Sequence, residues 1–127
     1  MLKWFLIAGG GACGSMLRYA LQGWVQNSVA SIFPWGTMAV NLTACLAIGF
    51  LAGMFGGSQL IREEYRIGLT VGVLGGYSTF STFGLETFNL AKDKEFVLAG
   101  LNLLLSCGIG VVAVWAGYRL AEHWYGV

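Results

Sequence analysis

Residues 75–83 read Gly-Gly-Tyr-Ser-Thr-Phe-Ser-Thr-Phe and lie inside an uncharged stretch that covers residues 67–85. A bilayer core of about 30 Å is crossed by roughly 20 apolar residues in a helix, so this stretch predicts a membrane-spanning helix. Two adjacent glycines and the Ser and Thr hydroxyls that follow them weaken helical hydrogen bonding near its centre. The sequence therefore predicts a span whose helix is broken between Gly75 and Thr79.

Three further stretches have the length of a membrane span: residues 4 to about 25, residues 35–57 and residues 96–118. Among these three, only the first contains a charged residue, Arg18. The connectors are short and polar, and they cover residues 26–34, 58–66 and 92–95. We expect an all-α membrane protein of four transmembrane helices, built as one domain over residues 1–127.

The composition favours the same fold class. Apolar residues make up 57% of the chain and charged residues 10%. A soluble domain carries about 25% charged residues, so these charges are too few to cover a surface in water, and the expected surroundings are a lipid bilayer. The net charge of +1 offers no basic field for nucleic acid, so no nucleic-acid partner is expected.

The N-terminus allows two interpretations. Met1-Leu2-Lys3 and the apolar residues after it resemble a short signal peptide, and Ala12-Cys13 resembles a lipoprotein cleavage site. The run continues past Arg18 to residue 25, however, and this length favours an uncleaved first helix.

The loop charges give little preference for one orientation. On the side of Met1 lie Lys3, Arg62, Arg66 and Arg119, and on the other side lie Arg18, Lys92 and Lys94. Cytoplasmic loops usually carry the excess of Lys and Arg, and four against three fixes no orientation. We therefore predict dual topology and an antiparallel homodimer, although a bias of one charge is also compatible with a single orientation.

Two glycine stripes predict close helix packing. Gly49, Gly53 and Gly57 recur every four residues in the second span, and Gly68, Gly72 and Gly76 do so in the third. Small residues at this spacing let helix backbones approach closely in lipid. The helices are expected to pack tightly on one another or on a second copy.

No hydrolytic, redox or metal-binding motif is present in the sequence. Cys13, Cys45 and Cys107 have neither paired spacing nor neighbouring histidines, so they are expected to be small packing residues. The single histidine, His123, has no nucleophile beside it that it could activate. We expect that the protein is not an enzyme.

Polar side chains inside the predicted spans are candidate sites, because they are costly in lipid. They are Arg18, Asn41, Glu86, Asn102 and Ser106. Asn102 and Ser106 lie four apart on one helix face, which fits either interhelical hydrogen bonds or a pore lining, and Asn41 allows the same two interpretations. Arg18 is placed to extend toward the membrane interface.

A break at residues 75–79 would expose carbonyls of one half-helix and N–H groups of the next. In lipid these groups must be buried in protein or bind something. Carbonyls suit a small hard cation, and a helix N-terminus suits an anion. The alternative is a packing kink in which Ser and Thr satisfy their own backbone.

Phe80 and Phe83 lie three apart beyond the break and share a helix face. Such rings are usually lipid-facing or core residues. Their edges carry positive potential, however, and could solvate a small anion without a formal charge, as could an Asn amide. Thr82 and Glu86 line the neighbouring face.

Taken together, these motifs resemble the CrcB/Fluc fluoride channels. The matching segments are residues 75–83 with Glu86, residues 36–42, and residues 10–14 leading to Arg18-Tyr19. The resemblance covers the whole chain in length, number of spans and order of motifs. It implies a multi-pass channel of the bacterial inner membrane that lets fluoride leave the cell passively, as an antiparallel dual-topology homodimer with two pores.

The resemblance also implies residue roles by position. Asn41 would donate to fluoride, and the ring edges of Phe80 and Phe83 would line the pore. A structural sodium ion at the dimer centre would bind the backbone carbonyls of Gly75 and Ser78. The polar pore-lining or supporting groups would be Thr37, Ser81, Thr82, Glu86, Asn102 and Ser106, together with Arg18.

Two other functions fit four short helices. A small dual-topology multidrug/proton antiporter would need a carboxylate within the membrane, and the one acid inside the spans is Glu86, near a helix end. A membrane assembly subunit held by glycine stripes would not need the hydroxyl-rich break.

Overall fold

The computed structural model describes residues 1–56 and 61–125, and over these residues the chain is helical, with no strand. The elements are α1 (Leu2–Ser28), α2 (Trp35–Gly56), α3 (Glu63–Ile67), the π-helix π1 (Gly68–Leu74), α4 (Gly75–Tyr77), α5 (Ser81–Lys92) and α6 (Phe96–Tyr125). Gly57, the last residue of the predicted second span, lies outside the described residues.

Two of the described helices, α2 and α6, are long and apolar enough to cross a membrane. Only 28% of the apolar window of α2 and 17% of that of α6 is buried inside the chain. A core helix of a soluble protein would be mostly buried, so these exposed apolar faces indicate helices surrounded by lipid. α1 is 27 residues long. The full four-span topology stays a prediction.

The glycine stripe of the second span packs α2 against α6. A Cβ at Gly49 would overlap the Val114 carbonyl, and one at Gly53 would come within 2.8 Å of the Tyr118 carbonyl oxygen. From the opposite side, a Cβ at Gly117 would overlap the Leu46 carbonyl. The predicted close packing is confirmed here, between two helices of one chain.

A second tight contact joins α1 to the continuous helical segment formed by α3, π1 and α4. A Cβ at Gly14 of α1 would overlap the Val73 carbonyl, and one at Gly76 of α4 would lie 2.7 Å from the Gly11 carbonyl oxygen. In π1 each backbone N–H bonds the carbonyl five residues earlier, instead of four as in an α-helix. The sequence did not predict this π-helix.

The helical backbone is interrupted between Tyr77 and Ser81. Ser78 is extended, with ψ of 156°, and a new helix starts at Ser81. The interruption thus begins later than predicted, because Gly75 and Gly76 are themselves helical. Gly76 serves packing, since its missing side chain allows the contact with Gly11.

Gln26 near the end of α1 fixes the start of α2. Its side-chain Nε2 donates to the carbonyls of Ser31 and Phe33 at 3.0 and 3.1 Å. Its Oε1 accepts from the backbone N–H of Gly36 at 3.0 Å. This network links α1 to the first turn of α2, where Thr37 lies one turn before Asn41.

Candidate functional site

The side chain of Asn41 on α2 is paired with the backbone of Thr79 in the interrupted segment. Asn41 Nδ2 donates to the Thr79 carbonyl at 2.9 Å, and the Thr79 N–H donates to Asn41 Oδ1 at 2.9 Å. The amide therefore satisfies both backbone groups of Thr79, as a neighbouring strand would. We call this pair of hydrogen bonds the Asn41 clamp.

The Asn41 clamp changes the hydrogen bonding of Gly75. In a continuous α-helix the N–H of residue 79 would donate to the carbonyl of residue 75. Here the Thr79 N–H donates to Asn41 instead. The Gly75 carbonyl therefore loses the donor that a helix would give it.

The Ser78 carbonyl loses its helical donor in a similar way. The Thr82 N–H, its donor in a continuous helix, bonds instead to the Thr79 hydroxyl at 3.2 Å. This hydroxyl acts as a cap for the start of α5. Gly75 and Ser78, the two residues predicted to supply carbonyl ligands, thus both have their usual helical donors engaged elsewhere.

A cavity of about 360 Å³ opens beside the interruption. Its lining includes Asn41, Gly75, Ser78, Phe80, Phe83 and Ser106. The cavity brings together the three residues predicted to bind an anion, and the two residues whose backbone carbonyls are predicted to bind a cation. Ala44 and Ile48 of α2 add apolar surface to its wall.

The two phenylalanines form a tilted pair, with ring centroids 5.6 Å apart and an interplanar angle of 54°. Phe83 is buried, with 6% of its surface exposed, whereas Phe80 is 81% exposed within the single chain. Phe83 therefore belongs to the packed core, and the ring of Phe80 is free to contact an ion, lipid or a second chain.

A carboxylate contact joins α2 to α5. The Thr37 hydroxyl donates to Glu86 Oε1, and Thr37 is buried with 2% of its surface exposed. Glu86 is half-buried. This contact brings together two of the predicted polar groups from helices that are distant in sequence.

A second polar chain runs between α6 and α5. Asn102, 1% exposed, donates through Nδ2 to the Thr87 hydroxyl at 2.8 Å, and Ser106 donates to Asn102 Oδ1 at 3.3 Å. Asn102 thus makes an interhelical hydrogen bond, and Ser106 lines the cavity, while the pore-lining role of the pair stays a prediction.

The remaining predicted site residues are placed differently. Arg18 is separated from the other candidates and lines another cavity, of about 650 Å³, with Gln22, Gln26 and Asn27. Ser81 is exposed at the start of α5, and Thr82 is half-buried.

Four residues that make hydrogen bonds in this region were not predicted as site residues. Thr79 provides the clamped backbone and the cap, and Thr87 is the partner of Asn102. The Tyr77 hydroxyl bonds that of Thr43 at 2.8 Å and thereby ties α4 to α2. Thr87 follows Phe83 by one helical turn, a spacing that could have indicated its position.

Among the residues that the structure describes, no group of three or more His, Cys, Asp or Glu side chains could hold a metal ion. Backbone carbonyl oxygens are the ligands that hard cations take in selectivity filters. Gly75 and Ser78 are both exposed in the single chain.

Comparison with known proteins identifies relatives over nearly the whole chain. A sequence model of the family described as "CrcB-like protein, Camphor Resistance (CrcB)" matches residues 5–118, which include every site residue above. The "Fluoride-specific ion channel FluC" of Geobacter metallireducens is 44% identical over 123 residues, 97% of this chain and 99% of the relative. The protein of the same name from Geobacter sulfurreducens is 45% identical over 89% of this chain and 91% of its own length. That from Rhodospirillum rubrum is 38% identical over 92% of this chain and 92% of its own length.

Proposed function

The chain belongs to the CrcB-like family, and from this membership and the geometry around the interrupted helix we propose that it is a fluoride-selective ion channel. It is a membrane protein, and the family is one of ion channels rather than enzymes. The proposed role is passive fluoride efflux across the bacterial inner membrane, which relieves fluoride toxicity, through a multi-pass channel domain covering residues 1–127. The single observation that carries the proposal is the Asn41 clamp, which holds a non-helical backbone open beside Phe80 and Phe83.

The proposed anion path passes Phe80, Phe83 and Asn41. An amide nitrogen carries two hydrogens, and the clamp uses one of them, so one N–H of Asn41 is left to donate to fluoride. Ring edges add positive potential without a formal charge. Such a site binds the anion weakly enough to release it, as conduction requires.

Polar side chains continue the proposed path on either side of the phenylalanines. They are Thr37 and Glu86 between α2 and α5, Ser106 and Asn102 on α6, and Ser81 and Thr82 at the start of α5, whereas Arg18 would have a supporting role in the separate cavity. The hydroxyls of Ser81 and Thr82 supply donors for a dehydrated anion. Those of Thr37 and Ser106 donate to Glu86 and Asn102 and shape the walls of the path.

We propose a structural sodium ion as the partner of the free carbonyls. Gly75 and Ser78 each present a carbonyl whose usual helical donor is engaged elsewhere. Two oxygens are too few for a hard cation, which usually takes more ligands in proteins. The same two carbonyls of a second copy would raise the number to four.

The proposed assembly is an antiparallel dual-topology homodimer in the bilayer. It is supported by the nearly balanced loop charges and by the exposure of Gly75, Ser78 and Phe80 in the single chain. A reporter fused after the last residue should be found on both sides of the membrane. A reporter found on one side only would contradict dual insertion.

The antiporter alternative is less well supported by the geometry. A proton-coupled site needs a carboxylate open to its substrate, and Glu86 is instead half-buried and bonded to Thr37. An assembly subunit would need its glycines free for a partner, yet Gly49, Gly53 and Gly76 already contact helices of the same chain.

An ion-flux measurement separates these functions. Purified protein is reconstituted into liposomes loaded with fluoride and chloride, with valinomycin to carry the balancing potassium and no proton gradient. We expect rapid release of fluoride and retention of chloride. Release of chloride, or transport of a cationic drug only when a proton gradient is imposed, would refute the proposal.

A further inference from the structure

Two cysteines that the proposed channel does not use line the same cavity as its candidate ion-binding residues. Cys45 lies on α2 and Cys107 on α6, and both contribute to the cavity of about 360 Å³ beside Asn41 and Ser78. Both are free thiols, Cys45 half-buried and Cys107 exposed.

The two cysteines lie on helices that pack against each other, and Gly110 of α6 is a neighbour of both. Cys45 Sγ is 3.5 Å from the point that a Cβ at Gly110 of α6 would occupy. Cys107 is three residues before Gly110, and side chains three apart on a helix are neighbours, with Cβ atoms about 5–6 Å apart. The absence of a side chain at Gly110 thus leaves space beside Cys45 Sγ, on the helix face that Gly110 shares with Cys107.

We propose that Cys45 and Cys107 form a binding site for a soft divalent cation that takes two thiolate ligands, such as Hg²⁺. A cation bound at this site blocks the ion path. The predicted block of conduction rests on the proposed function, whereas the predicted binding of the metal rests on the cavity alone. Cys13, which is exposed on α1 and does not line the cavity, has no part in the site.

The chemistry of the cavity selects this class of metal. Thiolates are soft ligands, and Zn²⁺ would require four ligands, whereas no group of three or more His, Cys, Asp or Glu occurs in the described part of the chain. Each thiol loses one proton as its sulfur bonds the metal, so Hg²⁺ and two thiols give a neutral complex and two protons. A neutral complex is suited to an apolar cavity, where an isolated charge is costly.

The site blocks conduction because of what shares its walls. Asn41, Phe80 and Ser106 line the same cavity. A metal held between α2 and α6 would occupy space that an anion needs in order to pass these side chains.

The binding test uses mercuric chloride with the full-length protein in detergent and four forms of the chain: the wild type, Cys45→Ser, Cys107→Ser and the matched control Cys13→Ser. After one equivalent of Hg²⁺ and a wash with excess glutathione, maleimide labelling and intact mass report the free thiols and the bound metal. A second thiolate on one scaffold raises retention by about 100-fold or more. We expect the wild type and Cys13→Ser to retain one metal per chain, with Cys45 and Cys107 protected, and the other two variants to lose it.

Equal retention by Cys45→Ser or Cys107→Ser, or a metal found on Cys13, would overturn the site. A fluoride-efflux measurement on the same four proteins gives an independent outcome. Hg²⁺ should stop efflux in the wild type and Cys13→Ser, and leave each of the other two variants at its own untreated rate. If the wild type retains the metal but passes no fluoride, the proposed function is refuted and the metal site is not. If the wild type passes fluoride but retains no metal, only the metal site is refuted.

Discussion

The carboxamide of Asn41 and the backbone of Thr79 exchange two hydrogen bonds of 2.9 Å across 38 residues of sequence. The pair does more than join α2 to the interrupted segment. It removes the N–H that would otherwise bond the Gly75 carbonyl, and so the helix interruption and the free carbonyl have one common cause.

Replacing Asn41 by Ala should impair both the interruption and conduction. The Thr79 carbonyl loses its partner, and an unsatisfied buried polar group costs about 1–3 kcal/mol. Because 1.4 kcal/mol is about tenfold in an equilibrium, we expect fluoride efflux to fall about tenfold or more. Faster hydrogen exchange at the Thr79 amide would report loss of the clamp directly.

Asn41→Asp is the matched control, because its carboxylate still accepts from the Thr79 N–H but cannot donate to the Thr79 carbonyl. Exchange at Thr79 should then remain slower than in Asn41→Ala. Equal protection of the Thr79 amide in the wild type and in both variants would show that the clamp does not hold the interruption.

Replacing Thr79 by Val should weaken the sodium site while keeping the shape of the side chain. The change removes the hydroxyl that accepts from the Thr82 N–H, which frees that N–H to return to the Ser78 carbonyl. Loss of such a cap also costs about 0.5–2 kcal/mol in stability. The measurement is the sodium concentration that sustains fluoride efflux, with N-methylglucamine replacing sodium.

We expect wild-type efflux to cease when sodium is fully removed, and Thr79→Val to need several-fold more sodium. Thr87→Val is the control, since its hydroxyl bonds Asn102 rather than the interruption. Undiminished efflux without sodium would contradict the proposed cation, and an unchanged requirement in Thr79→Val would contradict the role given to the Thr79 hydroxyl.

Replacing Phe80 or Phe83 by Ile should reduce fluoride efflux without separating the dimer. Ile keeps most of the bulk and removes the positive ring edge. Phe83 is buried within its own chain, with 6% of its surface exposed, so Phe83→Ile should also lower the thermal stability. Efflux rates and size-exclusion profiles test both points, and unchanged efflux in both variants would exclude ring-edge binding.

Replacing Gly49 by Ala should destabilise the protein through the α2–α6 contact. The added Cβ would overlap the Val114 carbonyl, and overpacking of this kind costs about 1–3 kcal/mol. Gly100→Ala on α6 is the control, because a Cβ there has nothing within 4 Å, and Ala favours a helix by about 1 kcal/mol. Thermal unfolding in detergent should show a lower midpoint for Gly49→Ala only, and equal midpoints would contradict the packing.

The sequence predicted the helical class and the close packing because both depend on local composition and spacing. The stripe through Gly49 and Gly53 is visible in the sequence and packs as expected. The start of the interruption was predicted wrongly, since Gly75 and Gly76 are poor helix formers in isolation but are helical here. Local propensity could not weigh the contact between Gly76 and Gly11, which depends on how α1 is placed.

Pairings between distant segments could not be predicted from spacing alone. Asn41 was identified as a candidate, but its bonds to Thr79 depend on the orientation of α2 against the interruption. Thr87 was overlooked because a hydroxyl in a helix commonly bonds its own backbone, as Thr87 also does to Phe83. Arg18 is placed in a separate cavity by the course of α1, which the motif order does not reveal.

The most direct test of fluoride-selective conduction is the reversal potential across a planar bilayer that contains the purified protein, with sodium on both sides. Fluoride and chloride gradients are set in opposite directions. The proposed channel predicts a current that reverses at the fluoride equilibrium potential and stays there when the chloride gradient is changed. A reversal potential that follows chloride, or the absence of any current carried by fluoride, would contradict it.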